Sequence, residues 1–450
     1  MVASGMAKTF REWNPEQARL FPPSVLDLVP EEHPAHFIRD LVRDSLDLSE
    51  ILGAYREERG QPPYHPTMMT ALLLYAYSRG VYSSRKIARA CEERVDFMAV
   101  TGMQKPDHDT INEFRRRHLQ ALKGLFGQVL RLCRNAGLAR LGHVALDGTK
   151  IRANASRHKA MSYKRMREAE TDLVKEVEGW LDTAEAVDRN EDARYGKGKR
   201  GDEMPAWMRS RQQRLEKIQQ AKAALEAEAA QEARRKAEEQ KKRPPDAPGP
   251  KPRPPSPKPK DKAQRNFTDP DSRVMRTQRT FEQAYNGQAA VDAESQVIVA
   301  ASLSNRQNDM DELIPTLDQI EADLGTVPDE LSADMGYCSE ANLEALEDRG
   351  VRGYVATGRR RHGSRSATSS EWRRQSPRAS AMRTRLKRGG YRTRYRLRKQ
   401  TVEPVFGQMK HARGFRQFLL RGLEKVRGEW SLLCTAHNLN KLAKALANTG

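Results

Sequence analysis

The chain has 450 residues, a formal net charge of +20 and an isoelectric point of about 9.8. This length exceeds one ordinary hydrophobic core and predicts two or three domains. The excess of lysine and arginine favours a polyanionic partner such as nucleic acid. An anionic membrane surface would also suit the charge, but the sequence has no apolar run of roughly 18 residues and no N-terminal signal peptide. We therefore expect no membrane partner.

The cysteines are too widely separated to form a recognisable zinc or disulfide motif. They are Cys91, Cys133, Cys338 and Cys434. No CxxC pair occurs among them, which argues against both kinds of site. A reduced cytoplasmic compartment fits this cysteine usage best.

Residues 1–140 predict an all-α N-terminal domain. Ser83 and Asp109 are candidate caps for the second and third of three predicted helices. Helix, short turn and helix is the outline of a DNA-binding domain, although plain packing with solvated basic faces gives the same pattern. The candidate DNA contacts on the second helix are Arg85, Lys86 and Arg89.

Strand signals begin at His143 and, after a long interruption, resume at Phe281. The first strand is predicted to end at Asp147, and a later short strand is predicted to end at Asp334. The full order is strand, strand, strand, helix, strand, helix, strand, helix, which predicts a mixed α/β sheet with crossover connections. Residues 141–153 and 271–450 would form this domain.

The interruption between these strands predicts a helical insert at residues 154–242. Two segments carry apolar residues three and four apart: Met166, Leu173, Val177, Trp180 and Ala184 in the first, and Leu215, Ile218, Leu225 and Ala229 in the second. They indicate an antiparallel hairpin that projects as an arm, followed by a Pro/Lys-rich linker at 243–270. Trp180 and Trp207 are interpreted as packing residues in preference to base-stacking ones.

The segment from Arg359 to Lys399 holds sixteen lysines and arginines against one acid, Glu371. Its glycine, serine and arginine content predicts a mobile loop that becomes ordered on DNA. Helices are then predicted at about 400–413 and 422–446.

Three acids lie in or beside predicted regular elements, namely Asp147, Asp334 and Glu403. Taken singly, each has an ordinary structural explanation as a turn, cap or solvated residue. Together, in a basic protein, they suggest divalent cations acting on a phosphate backbone, because such ions take oxygen ligands and can activate the attacking and leaving oxygens of a phosphodiester.

Several motifs in order resemble one known family. They are Ala145–Ser156, Ala284–Asp292, Ala333–Tyr337 and Thr401–Lys410, together with the N-terminal stretches Phe21–Tyr55 and Pro106–Arg115. Over nearly the whole chain, the sequence resembles the DDE transposases of bacterial insertion sequences. The resemblance implies a ribonuclease H-like catalytic domain, interrupted here by the helical insert.

By the same resemblance, Asp147, Asp334 and Glu403 would hold two Mg²⁺ ions, with Mn²⁺ as a possible substitute. Many of these transposases carry a tyrosine, an arginine, this glutamate and a lysine along the last catalytic helix. The corresponding residues here are Tyr395, Arg398 or Lys399, and Lys410. The family's arginine position falls on Lys399, with Arg398 beside it, and lysine lacks the planar two-pronged grip of arginine.

The residues around this glutamate carry two further expectations. Pro404 predicts that Glu403 lies at a helix start or a kink, because proline suits only the first helical turn. Lys410, Arg413, Arg416 and Arg421 are interpreted as a phosphate clamp, although a generic basic surface fits the same residues.

The predicted activity is metal-dependent cleavage at the ends of an insertion sequence, followed by transfer of the 3′ end into target DNA. The expected partners are the terminal inverted repeats, the target DNA and a second copy of the chain, in the bacterial cytoplasm at the nucleoid. A metal-dependent nuclease on the same fold is one alternative. A non-catalytic DNA-binding relic or regulator is the other.

Overall fold

The computed structural model describes residues 24–55, 62–176, 178, 206–241, 254–277, 280–360, 367–368, 376–389 and 394–447. The helices are α1 (Pro34–Asp44), α2 (Ser49–Leu52), α3 (Pro66–Ser78), α4 (Ser84–Glu93), α5 (Val95–Thr101), α6 (His108–Arg117), α7 (Leu119–Asn135), α8 (163–176), α9 (Ala206–Lys241), α10 (Leu313–Leu324), α11 (Glu340–Asp348), α12 (Pro377–Gly389), α13 (Leu397–Gly407) and α14 (Leu423–Ala447). The strands are β1 (Val144–Arg152), β2 (Ala160–Ser162), β3 (Gln264–Asn266), β4 (Arg273–Arg276), β5 (Phe281–Asp292), β6 (Ile298–Ser304), β7 (Glu330–Ala333), β8 (Arg352–Val355), β9 (Arg359–Arg360) and β10 (Ala367–Thr368). Short 3₁₀ turns occupy Val25–Leu28, Arg157–Lys159, Met335–Tyr337 and Arg394–Arg396, and a π-helical turn occupies Gln408–Ala412.

The N-terminal helices share one hydrophobic core with the sheet. Helices α3 and α7 both pack against α14, the last helix of the chain. Helix α3 is apolar around its whole circumference and is buried, as expected for a helix inside a core. Gly428 of α14 lies so close to α7 that a Cβ there would come 2.5 Å from Leu119 Cγ. The helical region therefore forms a platform that is continuous with the α/β domain.

Two N-terminal expectations are wrong in detail. The predicted third helix is two helices, α6 and α7, which are separated at His118. The N-cap of α6 is Asp107, whose Oδ1 accepts hydrogen bonds from the backbone N–H groups of Asp109 (2.8 Å) and Thr110 (2.9 Å). Asp109 itself lies in the first turn, because an earlier aspartate already satisfies the free N–H groups of the helix start.

The central sheet has the order β4-β5-β1-β7-β8, with β6 also paired to β5. Strand β1 is antiparallel to β5 and parallel to β7, which is parallel to β8. The chain order β1, β5, β6, α10, β7, α11, β8 agrees with the predicted mixed sheet and its crossovers. The α/β class is thereby confirmed.

Strand β1 does not end at Asp147 as predicted. Asp147 is the fourth of nine strand residues, and the strand continues to Arg152 along β5. The parallel neighbour β7, by contrast, stops at Ala333. Asp147 thus marks the end of the β1–β7 pairing, and Asp334 follows β7 directly as predicted.

The helical insert has its own small core. Helices α8 and α9 pack through Met166, Leu173, Ile218 and Leu225, as their spacing predicts. They run antiparallel, because Tyr163 bonds Glu226 whereas Glu170 bonds Lys222 further back along α9. Trp180 lies outside the described residues.

Two charged segments contain more structure than expected. Strand β3 lies inside the predicted 243–270 linker and pairs with β2 beside the insert. Helix α12 lies inside the segment predicted as a mobile loop, and that prediction is wrong for residues 377–389. Arg378 of α12 pairs with three acids of α11, and this counter-charge lets a basic segment fold against the domain. The three acids are Glu340, Glu344 and Glu347.

No helix among the described residues combines the length and apolar character needed to cross a bilayer.

Candidate active site

The strand register brings Asp147 and Asp334 together. Leu146 of β1 is the parallel partner of Ala333 of β7, and the next residues along these strands are the two aspartates. Asp334 then caps the 3₁₀ turn Met335–Tyr337, with Oδ1 accepting a hydrogen bond from the Gly336 N–H at 2.7 Å. Both carboxylates therefore lie at the same point of the sheet, held by backbone geometry.

Helix α13 brings an arginine onto Asp147. Val402 and Val405 are buried where α13 packs on β1, and the buried Arg398 donates from Nη1 to Asp147 Oδ2 at 2.5 Å. The Arg398 guanidinium also lies 5.9 Å from the centre of the Tyr395 ring. The predicted tyrosine, arginine and two aspartates thus form one cluster.

The structure shows which of Arg398 and Lys399 lies at the position expected for the arginine. Arg398 faces the sheet and contacts the aspartate, whereas Lys399 is exposed. The chain therefore keeps an arginine beside the acid despite the one-residue shift.

Burial is the largest influence on Asp147. Burial and the neighbouring charges of Asp334 and Asp309 together raise the pKa of this carboxyl to about 6, against the opposing effect of Arg398. Negative charge is thus crowded into a site with little water. A divalent cation would relieve this repulsion.

Lys410 lies on the same side of β1 as Asp147. Its Nζ donates to Thr149 Oγ1 at 2.5 Å and to the Lys150 carbonyl oxygen at 2.8 Å. Burial, with a smaller contribution from Lys150, lowers the pKa of Lys410 to about 8. The amine therefore changes charge close to neutral pH.

Glu403 lies in the interior of α13, and the predicted helix start is wrong. It is the seventh of eleven residues, and Pro404 follows it inside the helix. The proline removes one helical N–H, and the chain widens into the π-helical turn Gln408–Ala412 that carries Lys410. The irregularity thus falls after Glu403.

The Glu403 carboxylate is exposed and does not form a three-ligand group with the two aspartates. Among the described residues it forms no ion pair, and the ligand atoms of Asp147, Asp334 and Glu403 do not all lie within 4.8 Å of one another. The structure therefore joins two of the three predicted acids.

The other predicted DNA contacts lie in two places. Arg85, Lys86 and Arg89 are exposed on α4, with Arg89 paired to Glu93 at 2.8 Å. Arg416 is exposed beside the π-helical turn, whereas the Arg413 guanidinium turns inward to His437 Nδ1 at 2.9 Å. These positions leave Arg413 less available to a phosphate than its neighbours.

Sequence reasoning missed a fourth carboxylate, Asp309. Its Oδ1 accepts from Asn286 Nδ2 (2.6 Å), Gln288 Nε2 (2.7 Å) and Lys150 Nζ (3.3 Å). A Cβ at Gly336 would lie 2.9 Å from Asp334 Oδ1 and 3.4 Å from Asp309 Oδ2, which places both carboxylates around that glycine. The available signal was that Asp309 begins the polar start of a helix predicted for about residues 309–324, whereas the helix in the structure begins at Leu313.

The donor chemistry of the aspartate pair fits a hard divalent cation. Two carboxylates from neighbouring strands provide oxygen ligands of the kind that magnesium takes while keeping several waters. The raised pKa of Asp147 reports the repulsion that such an ion would remove. Elsewhere in the described residues, Asp107, His108 and Asp109 form a three-ligand group, but capping of α6 already accounts for Asp107.

Family comparison agrees with the site and the platform. Residues 23–117 match a family described as a transposase domain, DUF772, and residues 260–439 match one described as the transposase DDE domain. No curated protein and no solved structure gives a significant match. Two transposase models in this order, the second of which covers most strands of the central sheet, place the chain among the transposases. The chain belongs to the DDE transposases of insertion sequences, which are mobile elements.

Proposed function

We propose that this transposase cuts DNA at the ends of its insertion sequence and joins the freed 3′ end to target DNA. The observation that carries the proposal is the side-by-side placement of Asp147 and Asp334 at the end of the β1–β7 pairing, with Arg398 and Lys410 against the same strand. The order β6-β5-β1-β7-β8, antiparallel on one side of β1 and parallel on the other, supports a ribonuclease H-like domain.

Asp147, Asp334 and Glu403 would hold two divalent ions, Mg²⁺ or Mn²⁺. When bound, such ions supply an activated water or 3′-hydroxyl and stabilise the leaving oxygen. Asp147 and Asp334 are held ready by the sheet. Glu403 completes the set when the DNA-bound state brings its exposed carboxylate to the pair.

The cations of this site have separate roles. Arg398 holds Asp147 in position and, with Tyr395, forms one wall of the site. Lys410 offers a positive charge beside β1 to the phosphate backbone. DNA away from the reacting phosphate would be contacted by the exposed cations Arg85, Lys86, Arg89, Lys399 and Arg416.

Because both element ends are cut together, we propose a homodimer acting on chromosomal DNA in the cytoplasm.

The test is an assay on labelled duplexes carrying the element's ends, with Mg²⁺ or EDTA, comparing the wild type with Asp147→Asn. We expect nicking and end joining that need Mg²⁺ and disappear in the variant. Cleavage without joining would identify a nuclease instead. Tight, salt-sensitive binding without cleavage on authentic ends would identify a DNA-binding relic.

A further inference from the structure

A basic groove connects the catalytic sheet to the helical insert. One cavity of about 640 Å³ lies at the end of β1, and a second of about 510 Å³ lies between the N-terminal part of α9 and residues 158–165. His158 and Lys159, in the 3₁₀ turn between β1 and β2, line both cavities. The two cavities therefore adjoin at this turn, and together we call them the basic groove. The cations that define this basic groove are Arg152, Arg157, Lys159, Arg165, Arg214, Lys217 and Arg421.

The positive charge of the basic groove is largely uncompensated. All seven cations are exposed, and the one acid in the lining, Glu282, pairs with Arg152 at 3.2 Å. Within the described part of the chain, Lys159, Arg214 and Lys217 form no ion pair. Exposed, unpaired lysines and arginines along a concave surface are the features that bind a phosphate backbone.

The other end of α9 provides an internal contrast. A larger cavity there is lined by four arginines, and three of them pair with acids of the same protein. Arg273 bonds Glu228 at 2.9 Å, and Arg235 bonds Glu232 at 2.9 Å. Since most arginines of the larger cavity are paired and most cations of the basic groove are not, the uncompensated charge of the basic groove is a local property that suits an external anion.

The distance from Asp147 to the basic groove can be taken from the length of strand β1 between Asp147 and Arg152. Arg152 lies on β1 five residues after Asp147. At roughly 3.3 Å per strand residue this is about 17 Å. The same length of duplex DNA spans about five base pairs, at roughly 3.4 Å each.

We propose that the basic groove binds the sugar-phosphate backbone of double-stranded DNA about five base pairs from the phosphate that is cut. This inference rests on the proposed function and adds a place and a role for the insert. The insert and the sheet would clamp the same DNA segment from two sides, so that the helical arm sets the position of the element end in the active site.

The test compares two double variants in binding of an end-bearing duplex, measured by fluorescence anisotropy between 50 and 200 mM salt. Lys159→Ala with Lys217→Ala removes two groove cations, whereas Lys236→Ala with Lys241→Ala removes two lysines of α9 outside the groove. We expect the groove variant to bind about tenfold more weakly and to lose roughly two units of the slope of log K against log salt. The control variant should bind like the wild type.

Hydroxyl-radical footprinting locates the contact. The wild type should protect the backbone about five base pairs from the nick, by the strand-length argument above, and the groove variant should lose protection there alone. Thermal unfolding checks that both variants fold, and Lys159→Arg with Lys217→Arg should restore binding. A groove variant with wild-type affinity, salt slope and footprint would overturn the inference while leaving cleavage intact. A wild type that neither binds nor cuts the duplex would instead overturn the proposed function.

Discussion

Strand β1 and helix α13 supply acids to one proposed site in opposite ways. Asp147 is fixed in the middle of a sheet, partly buried, and paired with Arg398. Glu403 is exposed on a helix interrupted by Pro404 and ending in a π-helical turn. The sheet therefore builds the aspartate pair during folding, whereas the helix keeps its glutamate in solvent. In the proposed mechanism, assembly of the full ligand set would be a step that DNA binding controls.

The largest expected effect is the loss of cleavage when Glu403 of α13 is replaced. Glu403→Gln should lower Mg²⁺-dependent cleavage by about a thousandfold, because loss of a ligand for the reacting ions removes about 4 kcal/mol of transition-state stabilisation. Its stability should be unchanged, since the carboxylate is exposed and unpaired among the described residues. Single-turnover cleavage and thermal unfolding measure the two effects.

Glu424→Gln is the matched control, because Glu424 is also exposed and lies at the start of α14, bonded to Arg427. It should cleave like the wild type. Equal cleavage by Glu403→Gln and the wild type would show that the helix contributes no acid.

A second prediction tests how closely the side chains pack around Gly148 of β1, beside Asp147. A Cβ at Gly148 would lie 2.7 Å from both Asp309 Oδ1 and Gln288 Nε2. Gly148→Ala should therefore displace this network and destabilise the fold by about 1–3 kcal/mol. Chemical denaturation measures the change. Gly124→Ala is the control, because nothing lies within 4 Å of a Cβ there; a similar loss in both variants would contradict the account.

A third prediction concerns the energetic cost of the buried acid. Because the folded state raises the pKa of Asp147 from 3.8 to about 6, ionisation of this group opposes folding. The contribution of Asp147 to wild-type stability should fall as pH rises from about 4 to about 6, because this carboxyl holds its proton more strongly in the folded state than in the unfolded state. In metal-free buffer at pH 7, Asp147→Asn should be more stable than the wild type by about 1–3 kcal/mol.

Denaturant titrations at pH 4, 5, 6 and 7 measure this dependence. The Asn variant should lack the part of the decline that Asp147 causes. A variant less stable than the wild type at pH 7 would show that the Arg398 pair outweighs the burial of the carboxylate.

The smallest expected effect is a pH dependence at Lys410. Its pKa of about 8 means that the positive charge is present at pH 7 and lost as pH rises through 8. DNA affinity of the wild type should fall a few-fold between pH 7 and 9, since one phosphate contact is lost. In Lys410→Ala this fall should be smaller, and anisotropy at constant salt measures both proteins. An identical fall in the two proteins would remove Lys410 from the DNA contacts.

The strand order and the aspartates were predictable because each leaves a local signal. Asp334 follows a short apolar strand, and the crossover helices show clear periodicity. The true extent of β1 was not predictable, because residues 148–152 are paired by β5, more than 130 positions later in the chain, and Arg152 also bridges to Gln417. Pairing over such distances overrides local turn signals such as Asp-Gly.

The surroundings of the acids were less accessible to sequence reasoning. Asp309 reaches the site through a loop that three donors on β1 and β5 hold in place. The choice of Arg398 over Lys399 depends on which face of α13 meets the sheet, and the π-helical turn after Pro404 has no marker in the sequence other than the proline. Tertiary packing decides all three.

The central claim is that Asp147 and Asp334 together hold a divalent ion. Its most direct test is titration of Mn²⁺ into metal-free wild type, Asp147→Asn and Asp334→Asn, followed by calorimetry, with Asp311→Asn as an exposed-acid control from the loop beside Asp309. The account predicts binding by the wild type and the control, and loss of that binding in both active-site variants. Equal Mn²⁺ binding by all four proteins would contradict it.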